Sequence, residues 1–158
     1  MKKSAVIFTL FFMAFTVTML AQKKADRIIG YYLTYDDETG KEKSQVQIFV
    51  ASNGMYYGKI VWLKEPNING KAKTDRDNPD KKLQSRPLLG MQLLKGFTYN
   101  EKKGEWSEGS IYNPNGGKTY NCFMTFESDT KLKIRGFIGS SWMGLGKTAY
   151  WTKEEAAR

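Results

Sequence analysis

Gly117-Lys118-Thr119, repeated as Gly146-Lys147-Thr148, carries the most pointed chemical suggestion in this chain, because Gly-Lys-Ser/Thr is the tail of a phosphate-binding loop. Such a loop needs another glycine five residues upstream, a strand before it and a helix after it, so that backbone N–H groups converge on the anion. Five residues before Gly117 stands Tyr112, and five before Gly146 stands Ser141. After Lys118 the stretch "TYNCFMTFE" alternates with period two and reads as a strand. Asn113-Pro114-Asn115-Gly116-Gly117 therefore reads as a hairpin tip, in which Pro presets one φ and Asn-Gly supplies positive φ values. The nucleotide reading falls.

Other reactive chemistry is sparse. The chain has no histidine, which removes Ser-His-Asp and Cys-His catalysis, histidine-bound zinc and a histidine general base together. Cys122 is the single cysteine, so neither a thiolate cluster nor an intramolecular disulfide is available. Asp75, Asp77, Asn78 and Asp80 form the one dense acidic cluster, of a type that suits an oxygen-seeking cation. Against the calcium-loop template, however, Pro79 takes a ligand position and Asp80 the place of the required glycine, while Arg76, Lys81 and Lys82 oppose a cation. Capped turns around Asn78-Pro79 are the expectation, with no metal and no cofactor. Glu105 and Glu108 resemble a glycosidase pair only in residue type. No catalytic residue is assigned, and a carboxylate-dependent enzyme acting through Asp77 is the third-ranked alternative. Aromatic residues remain: Tyr32, Tyr57, Trp62, Trp106, Tyr112, Tyr120, Trp142 and Trp151 either pack and seal a core or line a cavity for a small amphipathic ligand.

The elements that must position these residues are strands. Val46, Ile48 and Val50 alternate with Gln45 and Gln47, and Leu132, Ile134 and Ile138 with Lys131, Lys133 and Arg135. Strands are expected over 28–35, 44–51, 55–63, 89–99, 105–112, 118–127, 131–138 and 147–152, separated by turn formers such as "DDETGK", "ASNG", "NEKKG", "NPNGG" and "ESDT". Helical spacing is convincing nowhere after the leader, apart from a weak turn in "KEEAAR". About eight antiparallel strands with hairpin connections imply an all-β, up-and-down barrel, because closure removes exposed edges; a two-sheet sandwich is the alternative. Tyr120, Cys122, Met124 and Phe126 share a face, which marks Cys122 as a small buried hydrophobe. One connection breaks the rhythm. Residues 64–87 hold three of the four prolines and no period, the mark of a lid-like loop.

Residues 1–21 stand apart from this domain. Met1-Lys2-Lys3 followed by an apolar run to Ala21 reads as a signal peptide cleaved after Ala21, with cleavage after Ala25 or an uncleaved anchor as alternatives. No cysteine near the junction offers a lipid anchor. The domain is then 22–158, in a periplasmic or secreted compartment. Its formal charge falls from +9 to +7 once Lys2 and Lys3 are removed. That charge is dispersed in pairs among carboxylates, which argues against nucleic acid and allows weak attraction to an anionic membrane surface.

"GKIVWL" (58–63), "DRDNPD" (75–80), "SRPLLGMQLLKGF" (85–97), the stretch from Trp106 through "IYNPNGGKTYNC" (111–122), "LKIRGFIG" (132–139) and "AYWTK" (149–153) together resemble the bacterial exported family DUF2147. The resemblance spans 28–152 and implies a lipocalin-like barrel, with Gly30-Tyr31-Tyr32 in the place of an opening Gly-x-Trp and with Lys147 and Lys153 replacing two arginines. It supplies no reaction. Combined with the residue reading, it leads to the expectation of a non-enzymatic exported barrel that binds a small lipophilic or amphipathic ligand in its interior. The expected ligand-binding residues are Trp62, Trp106, Tyr112, Lys118, Tyr120 and Arg135, and Asp77, Asn78 and Arg86 belong to the lid loop. The runner-up is a protein-interaction module using the aromatic rim and basic surface.

Overall fold

The computed structural model describes residues 22–140 and 144–158; the expected leader over 1–21 and Trp142 lie outside the described residues. β1 (Gly30–Tyr35), β2 (Glu42–Val50) and β3 (Tyr56–Leu63) lead into the long connection. That connection contains a two-residue hairpin, β4 (Asn67–Ile68) and β5 (Lys71–Ala72), and a 3-10 turn at Lys81–Leu83 capped by Asp80. β6 (Gln92–Asn100), β7 (Glu105–Asn113), β8 (Lys118–Phe126), β9 (Lys131–Phe137) and β10 (Gly146–Glu154) follow. The eight long strands form a closed antiparallel barrel in which each pairs with its neighbour in sequence and β10 returns to β1. This is the up-and-down barrel that the period-two pattern implies.

Inward positions follow from the register. Tyr32 faces Val46, Val46 faces Ile60, Met124 faces Ile134 and Ile134 faces Ala149. Tyr32, Val46, Ile48, Leu94, Phe97, Trp106, Met124 and Leu132 are fully buried, and each large apolar side chain removed from water this way contributes roughly 1.5–3 kcal/mol. Two inward glycines make room for this filling. A Cβ at Gly109 would meet the Phe97 ring at 2.5 Å, and one at Gly58 would meet Leu94 at 2.8 Å.

One end of the barrel is closed. Residues 22–26 are helical, too short a segment to leave a period in the sequence, and Ala25 and Ile28 are buried against the strands. Four side chains fasten this segment. Trp106 donates its indole N–H to the Ala25 carbonyl (3.0 Å), Tyr32 its hydroxyl to Ile28 (2.8 Å), Tyr56 its hydroxyl to the Asp26 carboxylate (2.7 Å) and Lys153 its ammonium to Arg27 (2.6 Å). Lys153 also lies 5.8 Å from the Tyr32 ring, so two of the three residues that depart from the resembled pattern, the third being Lys147, lie together.

The opposite end carries the connections 36–41, 64–91, 114–117 and 138–145. Here the wall is incomplete, because β3–β6 pairing stops at Lys59 with Gln92 while β3 continues to Leu63. The long connection fills the gap. Ile60 donates to Met91 (2.9 Å) and accepts from Gly90 (2.8 Å), so β6 begins at Gln92 and not at 89 as the pattern predicts. The tail after Glu154 bends back along the outer surface without forming a helix, and Gln45 donates to Glu154 (2.6 Å) and Ala156 (2.9 Å).

Candidate functional site

Along β7 to β10 the inward-facing residues change from buried to exposed toward the open end, whereas Thr34 on β1 and Ser44 on β2 stay buried there. On β8, Met124 and Cys122 are buried, Tyr120 half-buried and Lys118 exposed. The same progression runs from Trp106 through Ile111 to Asn113 on β7, from Ile134 to Gly136 on β9, and from Trp151 through Ala149 to Lys147 on β10. The lower barrel is solid; the upper barrel is a cup with Ile111, Tyr120 and Ala149 on its wall. A cavity of about 1170 Å³ opens at this end between the 36–41 hairpin, the long connection and the 114–117 hairpin. Leu63, Ile68, Ala72, Leu88 and Pro114 give it apolar walls. Its charged residues are largely paired: Lys43 with Asp36, Lys64 with Glu42, Lys73 with Glu65 and Arg76 with Asp77, at 3.3–3.9 Å.

One buried carboxylate holds the long connection in place. Asp75 has no exposed surface and accepts from Tyr112 (2.6 Å), Arg86 (2.6 Å) and Asn78 (2.7 Å). Desolvation pushes its carboxyl up, but the three hydrogen bonds and the Arg86 charge outweigh that and hold it below the usual carboxylate value. The same contact, together with burial as the larger cause, pushes Tyr112 up to about 12. Asn78 donates to Tyr112 as well (3.1 Å) and receives the Asp80 N–H (2.9 Å), which makes the Asn78-Pro79 segment the capped turn expected from its residue types. Asp77 lies against the hairpin tip: its carbonyl occupies the space a Cβ at Gly117 would need, and φ there is +64°. Thus "DRDNPD" and "NPNGGK", far apart in sequence, are packed against one another. The Gly-Lys-Thr stretch is the turn between β7 and β8.

The expected ligand-binding residues are divided among several places. Lys118 and Tyr120 lie on the inward face at the open end, beside the cup. Trp106 lies at the closed end under Ala25. Trp62 pairs with Gln45 on the outer face, where the Arg158 guanidinium sits 4.9 Å above its ring and pairs with Glu42 and Glu154. Tyr112 is on the outer face under the long connection, in the Asp75 cluster. Arg135, opposite Phe123 on the outer face, donates to Gly144 (3.1 Å) and Thr148 (3.3 Å) and so braces the 138–145 hairpin. Of the loop residues, Asn78 and Arg86 join the Asp75 cluster, and Asp77 accepts from Gly116. Sequence reasoning missed Asp75 as the centre of this cluster, and Ile111 and Leu88 as apolar walls. The alternating acids were the available signal for Asp75, but they did not say which one is buried.

Comparison with known proteins agrees with the architecture. A family model described as "Uncharacterized protein conserved in bacteria (DUF2147)" matches residues 30–153. A search of curated proteins finds no match. Among solved structures, one described as "Protein HP1028 from the human pathogen Helicobacter pylori belongs to the lipocalin family" is 28% identical, with a TM-score of 0.67, covering 81% of this chain and 83% of that one. The match over nearly the whole barrel places this chain in the DUF2147 family, with a lipocalin-like fold.

Proposed function

We propose that this protein is an exported, non-enzymatic carrier that binds a small lipophilic or amphipathic molecule in the cup at the open end of its barrel. The carrying observation is the change along the inward face. Residues of core parity, Ile111, Tyr120 and Ala149, are only half-buried, and at the same end of the barrel opens a cavity of about 1170 Å³ whose walls include Leu63 and Leu88. A volume slightly above the usual 300–1,000 Å³ of small-molecule sites, with Leu63, Ile68, Ala72, Leu88 and Pro114 as apolar walls among charged side chains that are largely paired with one another, suits an amphipathic molecule. Lys118 and Tyr120 are the polar anchors in this reading. Trp62, Tyr112 and Arg135 contribute from outside, by holding the tail, the long connection and the 138–145 hairpin. Asp77, the carboxylate of the enzyme alternative, pairs with Arg76 and accepts from Gly116, and the buried Asp75 is engaged by three donors; this structural use of both favours the carrier.

The test is fluorescence of an environment-sensitive apolar probe in lipid-free buffer. The probe binds with about one molecule per protein, and Tyr120→Asp or Ala149→Asp weakens it about tenfold or more while the circular dichroism spectrum is retained. Probe binding that neither variant changes overturns the site. Absence of any binding overturns the reading.

A further inference from the structure

Large apolar side chains stand furthest into water at the open end. Ile138 and Leu145 flank the β9–β10 connection, bonded to each other through the Ile138 N–H and the Leu145 carbonyl at 3.2 Å, and each is 62% exposed. Ile68, on β4 beside the cavity, is 51% exposed. At the closed end the comparable residues Ile29, Val50 and Met55 reach only 37–38%. Arg135 donates to Gly144 and Thr148, and Lys147 pairs with Asp37 of the neighbouring hairpin at 2.6 Å, beside Leu145.

The charges around these residues have a sign. The four ion pairs of the cavity, Arg86–Asp75 and Lys147–Asp37 are each internally neutral. Among the described residues, Lys41, Lys71 and Lys118 are exposed and have no carboxylate within 4.0 Å, whereas Glu38 is the corresponding unpaired acid on the 36–41 hairpin. Exposed apolar tips surrounded by surplus lysines are what an anionic bilayer surface recognises: lysines gain by approaching the headgroups and apolar tips by entering the acyl boundary. A bilayer fits better than a protein partner because the apolar residues stand at separate points around the opening and form no single groove.

We propose that the open end docks on an anionic lipid bilayer, with Ile138, Leu145 and Ile68 inserting and Lys41, Lys71 and Lys118 facing the headgroups. Docking there brings the mouth of the cup to the membrane. Ile138, Leu145 and Lys71 stand outside the cavity's lining, so docking is read whether or not the cup holds a ligand.

Co-sedimentation of the 22–158 protein with vesicles tests this. The protein partitions onto vesicles of mixed phosphatidylglycerol and phosphatidylcholine, partitions less onto phosphatidylcholine alone, and is released as salt rises. The double variant Ile138→Asp/Leu145→Asp lowers partitioning about tenfold or more, as does Lys41→Glu/Lys71→Glu, which leaves every apolar contact in place. Val50→Asp/Met55→Asp, at the closed end, keeps wild-type binding. No partitioning onto anionic vesicles, equal partitioning onto the neutral ones, or equal loss in the open-end and closed-end variants overturns the proposal. Probe binding in lipid-free buffer is read separately, so a failed dock and an absent ligand site give different results.

Discussion

Gly109 shows how much of this barrel is decided by single residues. Its missing side chain is filled by the Phe97 ring, so Gly109→Ala forces a clash inside the solid half and costs about 1–3 kcal/mol, read as a lower urea midpoint. Gly136, also inward, has its nearest neighbours at 3.5–3.6 Å, an ordinary contact distance. Gly136→Ala is therefore tolerated, and equal losses in the two variants would refute the division into a solid half and a cup. Two register shifts show why side-chain direction was only partly legible. Strict alternation in "GKIVWL" puts Ile60 and Trp62 on one face, but the register slips between Val46 facing Ile60 and Gln45 facing Trp62, which turns Trp62 outward. Between Trp106 and Gly109 a second shift, with Glu108 at φ +64°, keeps Trp106 inside and sends Tyr112 outside to Asp75. A bulge adds one residue and leaves the composition unremarkable, so nothing in the local pattern announced either.

At the scale of elements, the long connection is a fastened piece of wall. Asp75 ties it to β7, the Ile60 bonds tie it to β3, and Asp77 rests on the 114–117 hairpin. Asp75→Asn leaves Arg86 without its charge partner and lowers stability by about 1.5–3 kcal/mol at neutral pH. The pH dependence has a definite sign. The folded carboxyl lies below the unfolded value of about 3.9, so its contribution is complete above that value and disappears as pH falls through the folded value. The urea midpoints of wild type and variant stay a constant distance apart down to about pH 4 and converge below it, while amide exchange over 74–91 accelerates in the variant at neutral pH. A gap that persists unchanged at pH 3, or unaltered exchange, would show that Asp75 does not hold this segment. Proline content and absent period marked the connection as exceptional. They did not reveal that it substitutes for missing strand pairing, since that gap exists only where β3 outruns β6.

For the whole molecule, the closed end bears on maturation. Ala25 is buried and its carbonyl receives the Trp106 N–H, so cleavage after Ala25 would remove an acceptor and a piece of the core. Cleavage after Ala21 keeps the cap whole. The expected exported form begins at Gln22, measured by intact mass of the periplasmic or secreted protein; a form beginning at Asp26 would contradict this. The sequence by itself determined the barrel, the strand number and the hairpin at Asn113–Gly117, because period-two patterning and turn chemistry act over a few neighbouring residues and survive any packing. The closed cap, the solid lower half, the buried Asp75 and the outward directions of Trp62 and Tyr112 were decided only by the tertiary structure. Each depends on residues far apart in sequence meeting across the closed barrel, and on register shifts whose position is set by the packing that they serve.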